Sequence, residues 1–380
     1  MRQLVLNSLE RRLGHIDIPL FISALFISLA GLATMHSYAA SNVYFERQVL
    51  WIALSVAVFF VFSFIDFRFL RRTSVIVLLF AISVMLLIAV FIFGDVVKGA
   101  QSRFDLGGFA VQPAEYAKLV IIALLAKYFS RRHIEIAHIR HILVSGAYAF
   151  ILFALILLQP DFGSAIMIAL VWLAMVLVSG ISKKHLAVVL IGGVLAVGGM
   201  WLFVFEPYQK DRIITFLHPL ADIQGAGYNA YQSTIAVGSG ELLGKGVGYG
   251  TQSKLRFLPE YETDFIFASY AEEWGFIGVV FLFILFGIVF WRILAFAQLG
   301  ATNFETLFAL GVFSLFLAHF TVHVGMNVGL LPVTGVTLPF MSYGGSHLMT
   351  EFAALGILMG MRRYGRAVHR DDTQREFLGV

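Results

Sequence analysis

One carboxylate, Asp264, lies where a long polar stretch of this chain meets an apolar one, and its position suits acid–base chemistry. It closes the stretch Phe257-Leu-Pro-Glu-Tyr-Glu-Thr-Asp, with Thr263 beside it as a natural helix cap. A carboxylate in the first turn of a helix is favoured in its ionised form by the helix dipole. Asp264 could therefore serve as a general base, or it could be an aspartate that only starts a helix. This stretch alone leaves both readings open.

A second pair of charges follows Pro113, a residue suited to the first turn of a helix. Glu115 and Lys118 are three residues apart, so they share one helix face and can pair. Within an apolar segment such a pair is costly unless it lines a cavity, which favours a functional role. The alternative is a structural salt bridge that joins two helices.

Five further polar residues are candidates for a substrate cavity. Arg103 lies in a Gly-rich turn that begins at Lys98, and Asp161 precedes a Gly turn, where aspartate is often only turn chemistry. A Gly-rich segment could bring Lys245 and backbone N–H groups near a pyrophosphate, although glycines more often only turn a loop. Ser342 and Ser346 lie in an uncharged stretch from Pro332 to Ser346, with two prolines and three glycines, which predicts a re-entrant segment buried in protein with these serines as polar contacts.

Four more titratable residues occupy the last two apolar segments. His319 and His323 are four apart, as are His347 and Glu351, so each pair shares one helix face. They could bind a metal, but hydrogen bonding between helices is the favoured interpretation. The helices should be antiparallel neighbours, and we predict two contacts, His323 with His347 and His319 with Glu351.

The elements that position these residues are membrane helices. The chain has 380 residues, of which 59% are hydrophobic and 13% charged, so we predict an all-α polytopic membrane protein. With no cysteine, disulfides and thiol chemistry are excluded, and no nucleic-acid motif is found. No cleavable signal is expected at the N-terminus. Ten apolar segments are predicted, at about 17–37, 46–65, 73–93, 113–130, 142–159, 163–180, 185–205, 264–291, 304–325 and 342–361.

The placement of basic residues predicts the orientation. With both termini cytoplasmic, eighteen lysines and arginines fall on the cytoplasmic side, against three in the opposite short loops. We therefore expect one membrane domain over 1–380, with cytoplasmic tails at 1–15 and 363–380. The large loop 206–263, between helices 7 and 8, and Asp264 should face outward from the cytoplasmic (inner) membrane.

Five sequence blocks follow one another in an order that is typical of one family. They are Lys98-Gly-Ala-Gln, Gln112-Pro-Ala-Glu-Tyr-Ala-Lys, Gln159-Pro-Asp-Phe-Gly-Ser, Leu258-Pro-Glu-Tyr-Glu-Thr-Asp-Phe-Ile-Phe-Ala and Asn327-Val-Gly-Leu-Leu-Pro through Ser346. Together they resemble the motifs of the SEDS proteins (shape, elongation, division and sporulation), and the resemblance covers about residues 15 to 365. A further block, starting at Gly250-Thr-Gln-Ser, looks more like the elongation branch, RodA, than the division branch, FtsW.

The resemblance implies peptidoglycan glycosyltransfer on the outer membrane face, with lipid II and the nascent glycan strand as substrates. It assigns Asp264 as the catalytic residue, and Glu115, Lys118 and Arg103 as cavity residues. The expected partners are a class B penicillin-binding protein and other membrane proteins of the elongation complex. One departure is His347, where the family usually has a small residue.

The expected reaction is an inverting transfer with undecaprenyl pyrophosphate as the leaving group and Asp264 as the base. No cofactor is certain, but Mg²⁺ or Mn²⁺ could neutralise the pyrophosphate. Two rivals are a transporter that flips lipid-linked precursors and a non-catalytic scaffold for a transpeptidase. The polar groups cluster near the predicted outer side, which favours chemistry there over transport.

Overall fold

The protein is a bundle of long helices with one small sheet. The computed structural model describes residues 15–38, 43–97, 100–105, 107, 110–130, 139–218, 225, 227–255 and 257–378. The helices are α1 (Ile18–Tyr38), α2 (Val43–Phe64), α3 (Thr73–Phe93), α4 (Pro113–Ser130), α5 (Ile139–Leu157), α6 (Phe162–Val178), α7 (Lys183–Phe203), α8 (Pro207–Leu217), α9 (Tyr228–Ser239), α10 (Thr251–Lys254), α11 (Ile266–Gln298), α12 (Asn303–Asn327) and α13 (Gly345–Leu378), with a 3-10 helix at Phe67–Arg71.

Each of the ten predicted apolar segments forms a helix, which confirms the all-α polytopic fold. Seven of these helices, α1, α2, α3, α5, α7, α11 and α12, are long and apolar enough to cross a membrane. Of the other three, α4 carries charged residues within its apolar run, and α6 has only 17 residues. The last, α13, continues from its apolar part into the predicted tail.

Helix α4 lies at the centre of the bundle, in contact with α3, α6 and α12, and most of its side chains are buried. Around it, α2 packs along α13, and α11 packs along α1 and α12. Helix α7 is the exception, since none of its residues is buried. A helix that stands off from the bundle leaves space between itself and its neighbours.

Helix α11 is broken at Gly275, whose φ of 63° and ψ of −166° are not helical. The amides of Phe276 and Ile277, which start the second half, donate to the carbonyls of Glu241 and Leu242 at 2.9 and 3.1 Å. Two carbonyls at the end of the first half accept from loop amides at 2.9 and 3.0 Å. The loop segment 241–246 therefore satisfies the backbone groups that the break exposes.

The predicted Gly-rich turn around Arg103 is instead part of a sheet. Strands β1 (Asp95–Val97), β2 (Ala100–Asp105) and β3 (Ala110–Val111) pair antiparallel in that order, with Asp95 opposite Arg103. Lys98 lies outside the described residues.

The connection between α7 and α11 carries three short helices, α8, α9 and α10. The longest of the three is α9, which begins at Tyr228 and ends at Ser239, and α8 is of similar length. This connection lies at one end of the bundle, and we call that end the loop end.

Candidate active site

Asp264 lies at the loop end, two residues before α11 begins at Ile266. The N-cap position is Phe265, and no side chain caps the helix. The prediction that Thr263 caps the helix, with Asp264 in its first turn, is therefore wrong. The Thr263 hydroxyl instead donates to a carboxylate oxygen of Glu260 at 3.1 Å. The reason is that residues 259–265 form turns of their own, so the helix starts later than the apolar pattern suggests.

Asp264 is held through its backbone by a residue distant in sequence. The Nδ2 of Asn327, at the end of α12, donates to the Asp264 carbonyl at 3.0 Å, and Asn327 Oδ1 accepts from the Ala268 amide at 3.2 Å. Asn327 is fully buried. The sequence does not mark this asparagine as a positioning residue, although it opens one of the motifs that resemble the SEDS family. Its amide group both donates and accepts, so it ties α12 to the start of α11.

The segment 332–344 covers one side of Asp264. It contains no helix, and Val336, Leu338, Phe340 and Met341 within it are buried, as expected for a re-entrant segment. The Asp264 Oδ2 atom lies only 3.5 Å from the position that a Cβ at Gly335 would occupy. Asp264 itself is partly exposed and not buried in the apolar interior.

A cavity of about 1260 Å³ opens on the other side of this segment, bounded by α5, α6 and α7. Its wall is mainly apolar, with Phe150, Phe153 and Trp172 among the larger side chains. Gly335 lines the cavity and also approaches Asp264, so the two features share one wall residue.

Polar groups are concentrated at the loop end of this cavity. Asp161 lines it, and its carboxylate accepts from Gln112 Nε2 at 2.8 Å and from the Ser164 amide at 3.0 Å. Asp161 is thus both the cap of α6 and part of the cavity wall. Arg212, on α8, also lines the cavity and donates to the Val333 carbonyl at 3.4 Å. The sequence alone does not identify Arg212 as a cavity residue, because it is one of several charged residues in a polar loop.

Glu115 and Lys118 form the predicted pair, with 2.7 Å between Lys118 Nζ and Glu115 Oε1. Both side chains are buried, and neither lines the large cavity. They lie behind its polar end, one turn into α4 from Gln112.

The predicted contacts between α12 and α13 are wrong. His347 Nδ1 lies 2.8 Å from Glu115 Oε2, and His347 Nε2 lies 2.9 Å from Glu351 Oε1 on its own helix. His319 Nε2 lies 3.2 Å from Lys118 Nζ, and His323 Nδ1 lies 2.7 Å from the Val336 carbonyl. The prediction paired α12 with α13 directly, whereas α4 supplies the charged partners for both.

The remaining predicted cavity residues make contacts elsewhere. Lys245 Nζ donates to the buried Glu272 at 2.7 Å and to Thr251 Oγ1 at 2.9 Å, on the loop that caps the break in α11. Ser346 Oγ donates to the Ala110 carbonyl at 2.7 Å and accepts from the Gln112 amide at 3.2 Å. Lys245 therefore binds Glu272 near the break in α11 and does not line the large cavity.

Ser342 and Arg103 complete the set. Ser342 Oγ donates to the Thr263 carbonyl at 2.8 Å, directly beside Asp264. Arg103 lies on β2 and is not part of the large cavity wall.

Among the described residues, no group of three or more His, Asp or Glu side chains is arranged to hold a metal ion. The divalent cation stays a prediction.

Comparison with known proteins gives consistent matches. The family model of FtsW, RodA and SpoVE, described as "Cell cycle protein", matches residues 15–367. Stage V sporulation protein E of Bacillus subtilis is 34% identical over 361 residues, covering 92% of this chain and 98% of its own. The peptidoglycan glycosyltransferase MrdB of Escherichia coli K12 is 34% identical over 359 residues, covering 94% and 96%.

Solved structures are similar as well. A chain of a peptidoglycan synthase complex that coordinates polymerization and crosslinking has a TM-score of 0.78 and 30% identity, covering 92% of this chain and 98% of its own. The rod shape determining protein RodA of Thermus thermophilus has a TM-score of 0.69 and 28% identity, covering 91% and 96%.

Proposed function

The chain belongs to the FtsW, RodA and SpoVE family of cell cycle proteins. On that premise we propose that peptidoglycan is polymerised at its loop end, with Asp264 as the general base. It is a multi-pass membrane protein with the activity of a peptidoglycan glycosyltransferase, like the relatives named for that reaction. In the proposed reaction, the 4-hydroxyl of a lipid II acceptor attacks C1 of the sugar at the end of the growing strand. The C1–O bond to undecaprenyl pyrophosphate breaks, and the hydroxyl proton passes to Asp264.

The observation that carries this assignment is the place of Asp264 directly behind the wall of a large apolar cavity. Asp264 is partly exposed, and its carboxylate approaches Gly335, a residue of that wall. An isoprenoid chain is apolar and its pyrophosphate is not, which matches a cavity that is apolar along its length and polar at one end. Helix α7, which has no buried residue, borders the side by which such a chain would enter from lipid.

Basic groups near the polar end would stabilise charge on the departing pyrophosphate. Arg212 is a cation on the cavity wall, and Lys118 lies buried behind that wall. Arg103 and Lys245 could stabilise the pyrophosphate only if substrate binding moved them, because neither lines the cavity. A divalent cation, when bound, would add neutralising charge at the same phosphates.

The orientation and the partners also belong to this proposal. The excess of basic residues on one side favours cytoplasmic termini in the inner membrane, with the loop end facing outward. An elongation role is favoured over a division role by the block that begins at Gly250. The likeness to a chain of a complex that couples polymerization with crosslinking supports a class B penicillin-binding protein as partner. Other membrane proteins of the elongation complex would assemble around that pair.

The test is polymerisation of labelled lipid II by purified protein, comparing wild type with Asp264→Asn. Asparagine keeps the size of the side chain but cannot take the proton, so we expect the rate to fall on the order of a hundredfold or more. The matched control is Asp211→Asn, an exposed carboxylate on α8, which should keep the wild-type rate.

Activity of Asp264→Asn above about a tenth of wild type would remove this residue from the role of base. Wild-type protein that moves lipid II across vesicle membranes but makes no polymer would favour the transporter. Protein that does neither, but binds the transpeptidase, would favour the scaffold.

A further inference from the structure

Five titratable side chains from three helices meet behind the polar end of the cavity, and we call them the buried charge cluster. Each is at most 7% exposed, so none is solvated by bulk water. Two of them, Glu115 and Lys118, were predicted from the sequence to be cavity residues. The other three have no role in the reaction described above. The members are Glu115 and Lys118 on α4, His319 on α12, and His347 and Glu351 on α13.

The contacts of His347 favour an extra proton on its ring. Its Nδ1 lies 2.8 Å from Glu115 Oε2 in a hydrogen bond, and its Nε2 lies 2.9 Å from Glu351 Oε1, at ion-pair distance but without hydrogen-bond alignment. A neutral imidazole carries one N–H, and the other nitrogen is an acceptor. A neutral ring would then bring a nitrogen lone pair close to a carboxylate oxygen, which is unfavourable in a buried site. A charged ring attracts both carboxylates.

The contacts of His319 require the opposite state. Its Nε2 lies 3.2 Å from Lys118 Nζ, and an ammonium group can only donate. Nε2 therefore accepts, and the proton of His319 is on Nδ1, which lies 3.2 Å from the Thr337 carbonyl. His319 is neutral. With His347 charged, the cluster holds two carboxylates and two cations, and its net charge is zero.

The cluster is connected to the cavity through the start of α4. Gln112, one turn before Glu115, donates from its side chain to Asp161 and from its amide to Ser346. Ser346 is the neighbour of His347 in sequence. The carboxylate of Glu115 and the amide of Gln112 are thus both held by adjacent residues of α13, so a shift there would move Gln112 and Asp161 at the cavity wall.

We propose that His347, as an imidazolium shared between Glu115 and Glu351, is a positioning residue for polymerisation. It closes a charge-neutral cluster that fixes the start of α4, and it thereby holds Lys118 and Gln112 in their working positions. This rests on the proposed function, since the effect is read through polymerisation.

The proposal makes a prediction that packing alone does not. In His347→Gln the cluster keeps two carboxylates and one cation, an uncompensated buried charge. In Glu351→Gln the remaining Glu115 can still accept from a neutral His347, and glutamine can still accept from the Phe340 amide, which bonds Glu351 at 2.7 Å. The double variant returns to one carboxylate and one cation. The second substitution should therefore restore activity that the first removes.

The experiment measures polymerisation of labelled lipid II by the full-length protein. We expect kcat to fall at least about tenfold in His347→Gln with KM near wild type, and to return to within about threefold in His347→Gln/Glu351→Gln. Glu351→Gln alone should stay within about threefold of wild type. The matched control is His141→Gln, a buried histidine on α5 whose Nδ1 lies 2.9 Å from the Tyr128 hydroxyl, away from the cluster.

A double variant no more active than His347→Gln would overturn the proposal, because the histidine would then act only by its shape. The proposed function is judged separately, since in that case wild type still polymerises and Asp264→Asn does not. If His347→Gln fails to fold, recovery of folded, active protein in the double variant still supports charge balance. If the double variant also fails to fold, His347→Lys decides: folded, active protein supports the proposal, and unfolded protein overturns it.

Discussion

Glu272 anchors the loop that caps the break in α11, and replacing it should loosen that loop. The side chain is fully buried. Its Oε1 accepts from Lys245 Nζ at 2.7 Å, the Thr251 amide at 2.9 Å and the Thr251 hydroxyl at 3.0 Å. The Gln252 amide lies 3.2 Å from both carboxylate oxygens. One carboxylate thus holds a lysine, a hydroxyl and two backbone amides of the same loop.

Glu272→Gln keeps one oxygen acceptor but loses the charge. A hydrogen bond to a charged group contributes about 1.5–3 kcal/mol, against about 1 kcal/mol for a neutral one. The new amide group would also place donors opposite the Gln252 amide. At about 0.5–1 kcal/mol per donor, the lower part of that difference, the loop should lose about 2–4 kcal/mol of local stability over its four donors. Since about 1.4 kcal/mol is a factor of ten, amide exchange at Thr251 and Gln252 should speed up about thirtyfold to several hundredfold.

Hydrogen–deuterium exchange of a peptide covering residues 248–255, read by mass spectrometry, measures this opening directly. The matched control is Glu241→Gln, which removes one negative charge from an exposed side chain of the same connection. Exchange in Glu272→Gln within about threefold of the control would show that the carboxylate does not hold the loop, and would refute the reasoning.

Two other changes test the fold. Gly275→Ala should lower the melting temperature, because a Cβ there would lie 2.2 Å from the Gly244 amide at a φ of 63°, whereas Gly287→Ala, open on the same helix, should not. Burial raises the pKa of Asp17, but hydrogen bonds from Arg292 and Leu20 and nearby arginine charge lower it overall below its ordinary value. Asp17→Asn should therefore lower thermal stability at pH 7, and the difference should shrink below about pH 4, as wild type becomes protonated.

The positions of the helices could be read from the sequence because each depends on local composition. Runs of apolar residues long enough to span a membrane can satisfy their backbone only as helices. The Glu115–Lys118 pair could also be predicted from the sequence, because residues three apart on one helix lie close together whatever surrounds them.

The break in α11 could not be read in the same way. Gly275 is one of many glycines in the chain, and nothing beside it marks a positive φ. What decides its conformation is the segment 241–246, about thirty residues earlier in the chain. The partner of Lys245 could not be predicted from the sequence for the same reason, since Glu272 comes from α11 and not from the loop itself.

The site shows where local spacing stops being informative. The sequence by itself determined which residues carry charge, which helix face each occupies, and that Asp264 stands between a polar loop and an apolar helix. Only the tertiary structure decided that α4 meets both α12 and α13, so that His347 faces Glu115 and His319 faces Lys118. The physical reason is that a helix period relates residues within one helix, whereas the partner of a buried charge is set by how all the helices pack together.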